Sequence, residues 1–245
     1  MKLPAIAAAL ALSLPLTTHA AATSTAQFSN FRIEIIDLDL NDGIDAAVEL
    51  DDSVSILAGY QPNDYTEPDP FNYQHAEGTV DASVAGAHSS ATLLDRAGNA
   101  SATFGASAGD MLAGVSMGSL FKLTANTKMI LTVDAGVSGM DDGANYGQGY
   151  VHLYISDQDL PFVVDENTRY DTLRSDIDGN GSRQLTLSLT TGEFGTDGNF
   201  AVVGGAIAGV SPVPEPTQYA MFGLVIAGVG WRLRRSRRHG GAAAE

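Results

Sequence analysis

Apolar and polar residues alternate with a period of two along much of this chain, the repeat of a pleated strand with one face buried. Gln184–Thr190 shows it most clearly, with Leu185, Leu187 and Leu189 between hydroxyl and amide residues. Phe31–Leu40 alternates except at Ile35-Ile36. Tyr150–Ser156 sets Tyr150, His152 and Tyr154 on one face and Val151, Leu153 and Ile155 on the other. Val48–Ala58 reads as one or two strands with a turn at Asp51-Asp52. Ser119–Leu123 and Lys128–Val137 are strands parted by a turn at Ala125-Asn126-Thr127, and Phe200–Val210 is the last. Between Thr79 and Gly118 the helix propensity of many alanines competes with alternation. Strands are favoured there, with a short helix near Ala91–Arg96.

Breakers divide these runs. Asn41-Asp42-Gly43, Asp178–Gly181 and Gly192–Gly198 have turn chemistry. Gln61–Tyr73, with Pro62, Pro68 and Pro70, reads as a long surface loop; Met140–Gly149 and Asp157–Arg174 read as loops too. Nine or ten short strands with almost no amphipathic helix predict an all-β fold: an antiparallel two-sheet sandwich, jelly-roll-like.

Both ends depart from this pattern. Lys2, the apolar run Ala5–Leu16 and Ala20-Ala21-Ala22 have the order of a secretory signal peptide, assigned to residues 1–22, with cleavage after Ala20 fitting nearly as well. At the other end, Pro214 and Pro216 flank Glu215 and hold the backbone extended. The charge-free run Tyr219–Trp231 follows, about 20 Å long as a helix at about 1.5 Å per residue. That is short of a hydrocarbon core of about 30 Å, a gap that flanking Thr217, Gln218 and snorkelling arginines narrow. Arg232, Arg234, Arg235, Arg237 and Arg238 would stay cytoplasmic under the positive-inside rule. The expected organisation is a signal peptide (1–22), a β-sandwich (23–211), a C-terminal segment with a short transmembrane helix (212–238) and a cytoplasmic tail (239–245).

Val213-Pro214-Glu215-Pro216, a short apolar span and an arginine cluster, in that order, resemble the PEP-CTERM sorting signal of Gram-negative bacteria. The resemblance implies processing by an exosortase, a membrane-embedded cysteine transpeptidase-like enzyme. It implies an inner-membrane-anchored precursor, then a cell-surface or extracellular product associated with exopolysaccharide and biofilm. Two internal phrases, Ile36–Ile44 and Leu123–Ile130, are similar to stretches of uncharacterised exported proteins of that kind and imply no activity.

Charge narrows the partners. Of 13 basic residues, removing Lys2 and the five tail arginines leaves 7; of 29 acidic residues, removing Glu215 and Glu245 leaves 27. The body therefore carries a net charge of about −20, which repels nucleic acid and anionic membranes. With no cysteine there is no disulfide and no lipid attachment through a thiol.

Candidate chemistry is sparse. Asp176, Asp178 and Asn180, followed by Gly181, have the spacing of the first half of an EF-hand loop, so calcium is the one cofactor considered; Asp171 or Glu193 would assist. Position twelve is Leu187 where such a loop needs Glu, and the competing reading is a β-hairpin turn. Asp37, Asp39, Asn41 and Asp42 form a second acidic cluster. Gly105–Gly109 and Gly114–Gly118 both read Gly-x-Ser-x-Gly, but no helix pattern follows either. His75, His88 and His152 have no metal-ligand spacing. Tyr60, Tyr65, Phe71, Tyr73, Tyr150 and Tyr154 are candidates for stacking on sugar rings, against the plainer reading of packing inside a sandwich. The expectation is a non-catalytic exported surface or matrix protein. A calcium-stabilised carbohydrate-binding module and a secreted hydrolase are the alternatives.

Overall fold

The computed structural model describes residues 21–61, 71–105, 109–140, 145–157 and 168–210. The signal peptide and the whole C-terminal segment, including Val213–Pro216, the apolar run and the arginine cluster, lie outside these residues. The chain divides after Ser211, and the second unit is Pro212–Glu245.

The described residues form two antiparallel six-stranded sheets. The strands are β1 (Ala22–Asp37), β2 (Val48–Gln61), β3 (Phe71–Gln74), β4 (Gly78–Val84), β5 (Ala87–Leu94), β6 (Ala97–Phe104), β7 (Asp110–Leu123), β8 (Thr127–Gly139), β9 (Asn145–Ser156), β10 (Arg169–Arg174), β11 (Gly181–Thr190) and β12 (Thr196–Val210). One sheet has the order β11-β8-β1-β6-β5-β4, the other β10-β9-β12-β7-β2-β3. The all-β, two-sheet architecture expected from the alternation is the one observed, with twelve described strands where nine or ten short ones were expected. Four of them run for 14 residues or more.

Several local expectations are overturned, each because cross-strand pairing outweighs a local preference. Asp51-Asp52 makes no turn: β2 passes straight through, paired with Leu120 and Ser119 of β7. Ala91–Arg96 is not helical. Ala91 and Leu93 alternate into the core on β5, and Asp95 and Arg96, with φ of 50° and 60°, form the two-residue turn of the β5–β6 hairpin. The supposed loops yield strand at Gln61, at Phe71–Gln74, from Asn145 and from Arg169; residues 62–70, 141–144 and 158–167 lie outside the described residues. Asp178–Gly181 is a turn but not a hairpin. It follows a four-residue helical turn, α1 (Ser175–Asp178), and carries the chain from β10 in one sheet to β11 in the other.

The inward faces meet in one core. Phe28 of β1 is buried, and its ring fills the space that a side chain on Gly98 or Gly204 would need, one in its own sheet and one in the facing sheet. Burying a ring of that size contributes about 2–3 kcal/mol. Val151, Leu153 and Ile155 are wholly buried, on the face read from sequence. Between Ser29 and Arg32 the register of β1 shifts, with Asn30 at φ 54° donating to Asp134 (2.8 Å). β6 pairs with β1 only as far as Phe28, so beyond this irregularity β1 continues beside β8 alone.

The two ends of the sandwich differ in construction. At the end where β1 begins and β12 stops, the sheets touch backbone to backbone. A Cβ on Gly149 would lie 2.0 Å from the Thr25 carbonyl oxygen, and one on Gly147 2.1 Å from that of Thr23. Gly147 N donates to the Met140 carbonyl across this seam. At the opposite end, three sheet-crossing connections are tied together: β1–β2 (38–47), β7–β8 (124–126) and β11–β12 (191–195). Leu38 N donates to Asn126 O (2.8 Å) and Asn126 N to Gly192 O (2.7 Å). Thr191 Oγ1 accepts from Thr127 N (2.9 Å) and donates to Thr124 O (2.7 Å), while Thr124 Oγ1 accepts from Ala47 N (2.9 Å). Asn126 Nδ2 donates to Asp42 Oδ2 (2.7 Å). The phrases Ile36–Ile44 and Leu123–Ile130, far apart in sequence, are thus two parts of one cap.

Candidate functional site

The three residues with calcium-loop spacing have partners of their own. Asp176 accepts two bonds from the Arg174 guanidinium (3.0 and 2.7 Å), and Asp178 accepts from Arg174 N (2.8 Å). That hydrogen-bonded pairing holds the Asp176 carboxyl below the usual carboxylate range and Arg174 above its own. Asn180 turns to Gly139, accepting from its N (2.8 Å) and donating to its O (3.1 Å), in the manner of an added strand residue. Asp171 is engaged with Arg183 (2.7 Å) and Thr186 N (3.0 Å). Partial burial pushes its carboxyl up, but those hydrogen bonds outweigh it and leave it lowered. Glu193 follows the far end of β11, ten residues of strand away from α1. Among the described residues no group of three His, Asp or Glu side chains gathers as a metal set would.

The second acidic cluster is a run of turns. Asp37 Oδ1 accepts from Asp39 N (3.0 Å), Asp39 Oδ1 from Asn41 N (3.1 Å) and Asp42 Oδ1 from Ile44 N (2.8 Å). The bond from Asn126, then that from Ile44, keep the Asp42 carboxyl below its ordinary value. Ser116 of Gly114–Gly118 sits mid-strand in β7, where no nucleophile elbow forms; residues 106–108 of the other match lie outside the described residues. The histidines are separate. His75 lies edge-on to Tyr73, His88 bonds Ser83 (2.9 Å), and His152 bonds Thr172 (2.6 Å). Burial, then the nearby Arg174 charge, lower the His152 pKa.

Of the described aromatic candidates, Tyr60 is partly buried and packs against the core, as the plainer reading expects, whereas the other four do not pack inside the sandwich. Tyr150 and Tyr154 point outward from β9, half-buried, and burial raises both hydroxyl pKa values. The Tyr150 ring lies across Gly205 and the Phe71 ring across Gly59, each filling the space of an absent side chain; Tyr73, beside Phe71, is exposed. Tyr65 lies outside the described residues. The outward face of the other sheet is instead rich in hydroxyls and amides, including Thr25, Ser101, Asn99 and Gln27.

One feature that sequence reasoning missed is a cleft of about 280 Å³ between the sheets, where β6 no longer covers β1. Phe31, Ile33, Val54, Leu93, Met117 and Phe200 line it, and the Phe31 and Phe200 rings stack at 5.5 Å. Asp52 and Arg96 meet at its rim (2.9 Å), and Glu77 accepts from Asp95 N (3.4 Å). It is assembled from five strands, so no contiguous motif announces it.

Beyond the sandwich, residues 212–235 match the family model described as the PEP-CTERM protein-sorting motif. The chain carries a PEP-CTERM sorting motif. The motif implies processing by exosortase and a membrane-anchored precursor destined for export. No curated protein and no solved structure matches the chain. Among the described residues no helix is long and apolar enough to cross a membrane; the run Tyr219–Trp231 of the PEP-CTERM segment lies outside them.

Proposed function

We propose that this chain is a non-catalytic exported protein that exosortase delivers to the cell surface or extracellular matrix, alongside exopolysaccharide. The observation that carries the reading is the position of the PEP-CTERM motif. It begins at residue 212, two residues after β12 ends at Val210, so cleavage near Pro214-Glu215-Pro216 removes none of the twelve described strands. The other end supports the same account. Ala22 opens β1, is fully buried and pairs with Phe104, so signal-peptide cleavage after Ala20 leaves β1 whole, whereas cleavage after Ala22 trims it.

Mass spectrometry of the native surface-located protein tests this. A mature form starting at Ala21 and lacking Tyr219 onward is expected; an intact C-terminus at Glu245 would overturn the reading. A second reading is a carbohydrate-binding module, favoured by the outward tyrosines of β9 and by Phe71 and Tyr73. A calcium ion at Asp176, Asp178 and Asn180 would first have to displace Arg174 and Gly139 from those side chains.

A further inference from the structure

The cap formed by the β1–β2, β7–β8 and β11–β12 connections is pinned by side-chain and backbone hydrogen bonds, yet it holds apolar side chains in water. Leu40 is 84% exposed and Phe194 83%; Leu38 and Ile44 are about half exposed. Burial among the described residues does not explain such residues on hydrogen-bonded connections, and exposed apolar groups gathered at one end of a domain mark contact surfaces. Asp37, Asp39, Asp42, Asp45 and Glu193 belong to the same connections or adjoin them, and outnumber the cations of the strands that flank the β7–β8 connection, Lys122 and Lys128. A second copy docking cap to cap brings the same acids together and is repelled, and an anionic bilayer is repelled likewise. The charge pattern selects a basic partner.

β12 leaves the cap at Thr196 and ends at Val210, about 50 Å away at about 3.3 Å per residue, and β1 begins at that remote end. We propose that the cap is a docking surface for a protein or peptide that presents apolar side chains among lysines or arginines. Binding by the cap does not rest on the sorting reading.

The test uses the full-length chain in zwitterionic nanodiscs, with empty nanodiscs as baseline, and labelled synthetic peptides of Leu and Lys, of Ser and Lys, and of Leu and Glu. The Leu/Lys peptide is expected to bind at least tenfold more tightly than either of the others. Leu40→Ser with Phe194→Ser should weaken it at least tenfold, while Ile177→Ser, an exposed apolar residue on α1, should leave it unchanged. Melting curves confirm that each variant is folded. Independently of any variant, raising the salt concentration should weaken binding to the unaltered chain. The proposal is overturned if the double variant binds like the original, if the Ser/Lys or Leu/Glu peptide binds equally well, if Ile177→Ser is as damaging, if salt has no effect, or if sedimentation shows cap-dependent self-association. Because the unprocessed chain is used, any of these results leaves the sorting reading to be judged by its own mass-spectrometric test.

Discussion

At the end where β1 begins, Gly147 and Gly149 bring β9 so close to β1 that carbonyl oxygens occupy the places of side chains. At the cap, threonine, asparagine and aspartate side chains span the gap between sheets. The first closure depends on atoms being absent, so any added side chain collides with backbone that cannot rotate away. The second depends on polar atoms being satisfied, so its weak point is a missing partner and not a clash. The cap can therefore carry exposed, replaceable side chains between its hydrogen bonds, which is where Leu40 and Phe194 sit.

Three substitutions break or sharpen this contrast. Gly149→Ala should be the most damaging, costing about 3 kcal/mol or more because the new methyl meets the Thr25 carbonyl. For a domain of this size that lowers Tm by roughly 6–12 °C, read by thermal denaturation. A melt within a degree of the original would show that the seam opens easily. Next, Thr191→Val keeps the shape but deprives the buried Thr127 N–H of its acceptor. A loss of about 1–3 kcal/mol in urea unfolding is expected. The smallest is Asn126→Ala, about 1 kcal/mol, since alanine tolerates φ of 50° less well than asparagine.

The last variant also carries a pH signature. Asn126 helps hold the Asp42 pKa below its unfolded value of 3.8, so this stabilisation is present above pH 3.8 and is lost as pH falls through the lower folded value. The gap between the two proteins should therefore shrink below about pH 4. A constant gap from pH 7 to pH 2.5 would mean that Asp42 contributes nothing to it.

How far the sequence could be read depended on whether the relevant neighbours were local. Leu185 and Leu189 alternate within one strand and were placed correctly; Asp51-Asp52 looked like a turn because the β7 partners that keep it extended lie some 70 residues away. Asn145–Gly149 looked like a loop because glycine is a poor strand former when judged alone. The calcium spacing of Asp176, Asp178 and Asn180 was visible, but Arg174 lay just outside the motif and Gly139 about 40 residues before it.

By itself the sequence determined an all-β body and the PEP-CTERM motif, because alternation and an ordered run of Pro-Glu-Pro, apolar span and arginines are contiguous properties that need no distant partner. Only the tertiary structure decided that β7 and β8, adjacent in sequence, lie in different sheets; that two separate phrases make one cap; and that both ends of the sandwich chain leave from the opposite side. Those outcomes depend on which strands share hydrogen bonds, a choice made by packing across the whole core.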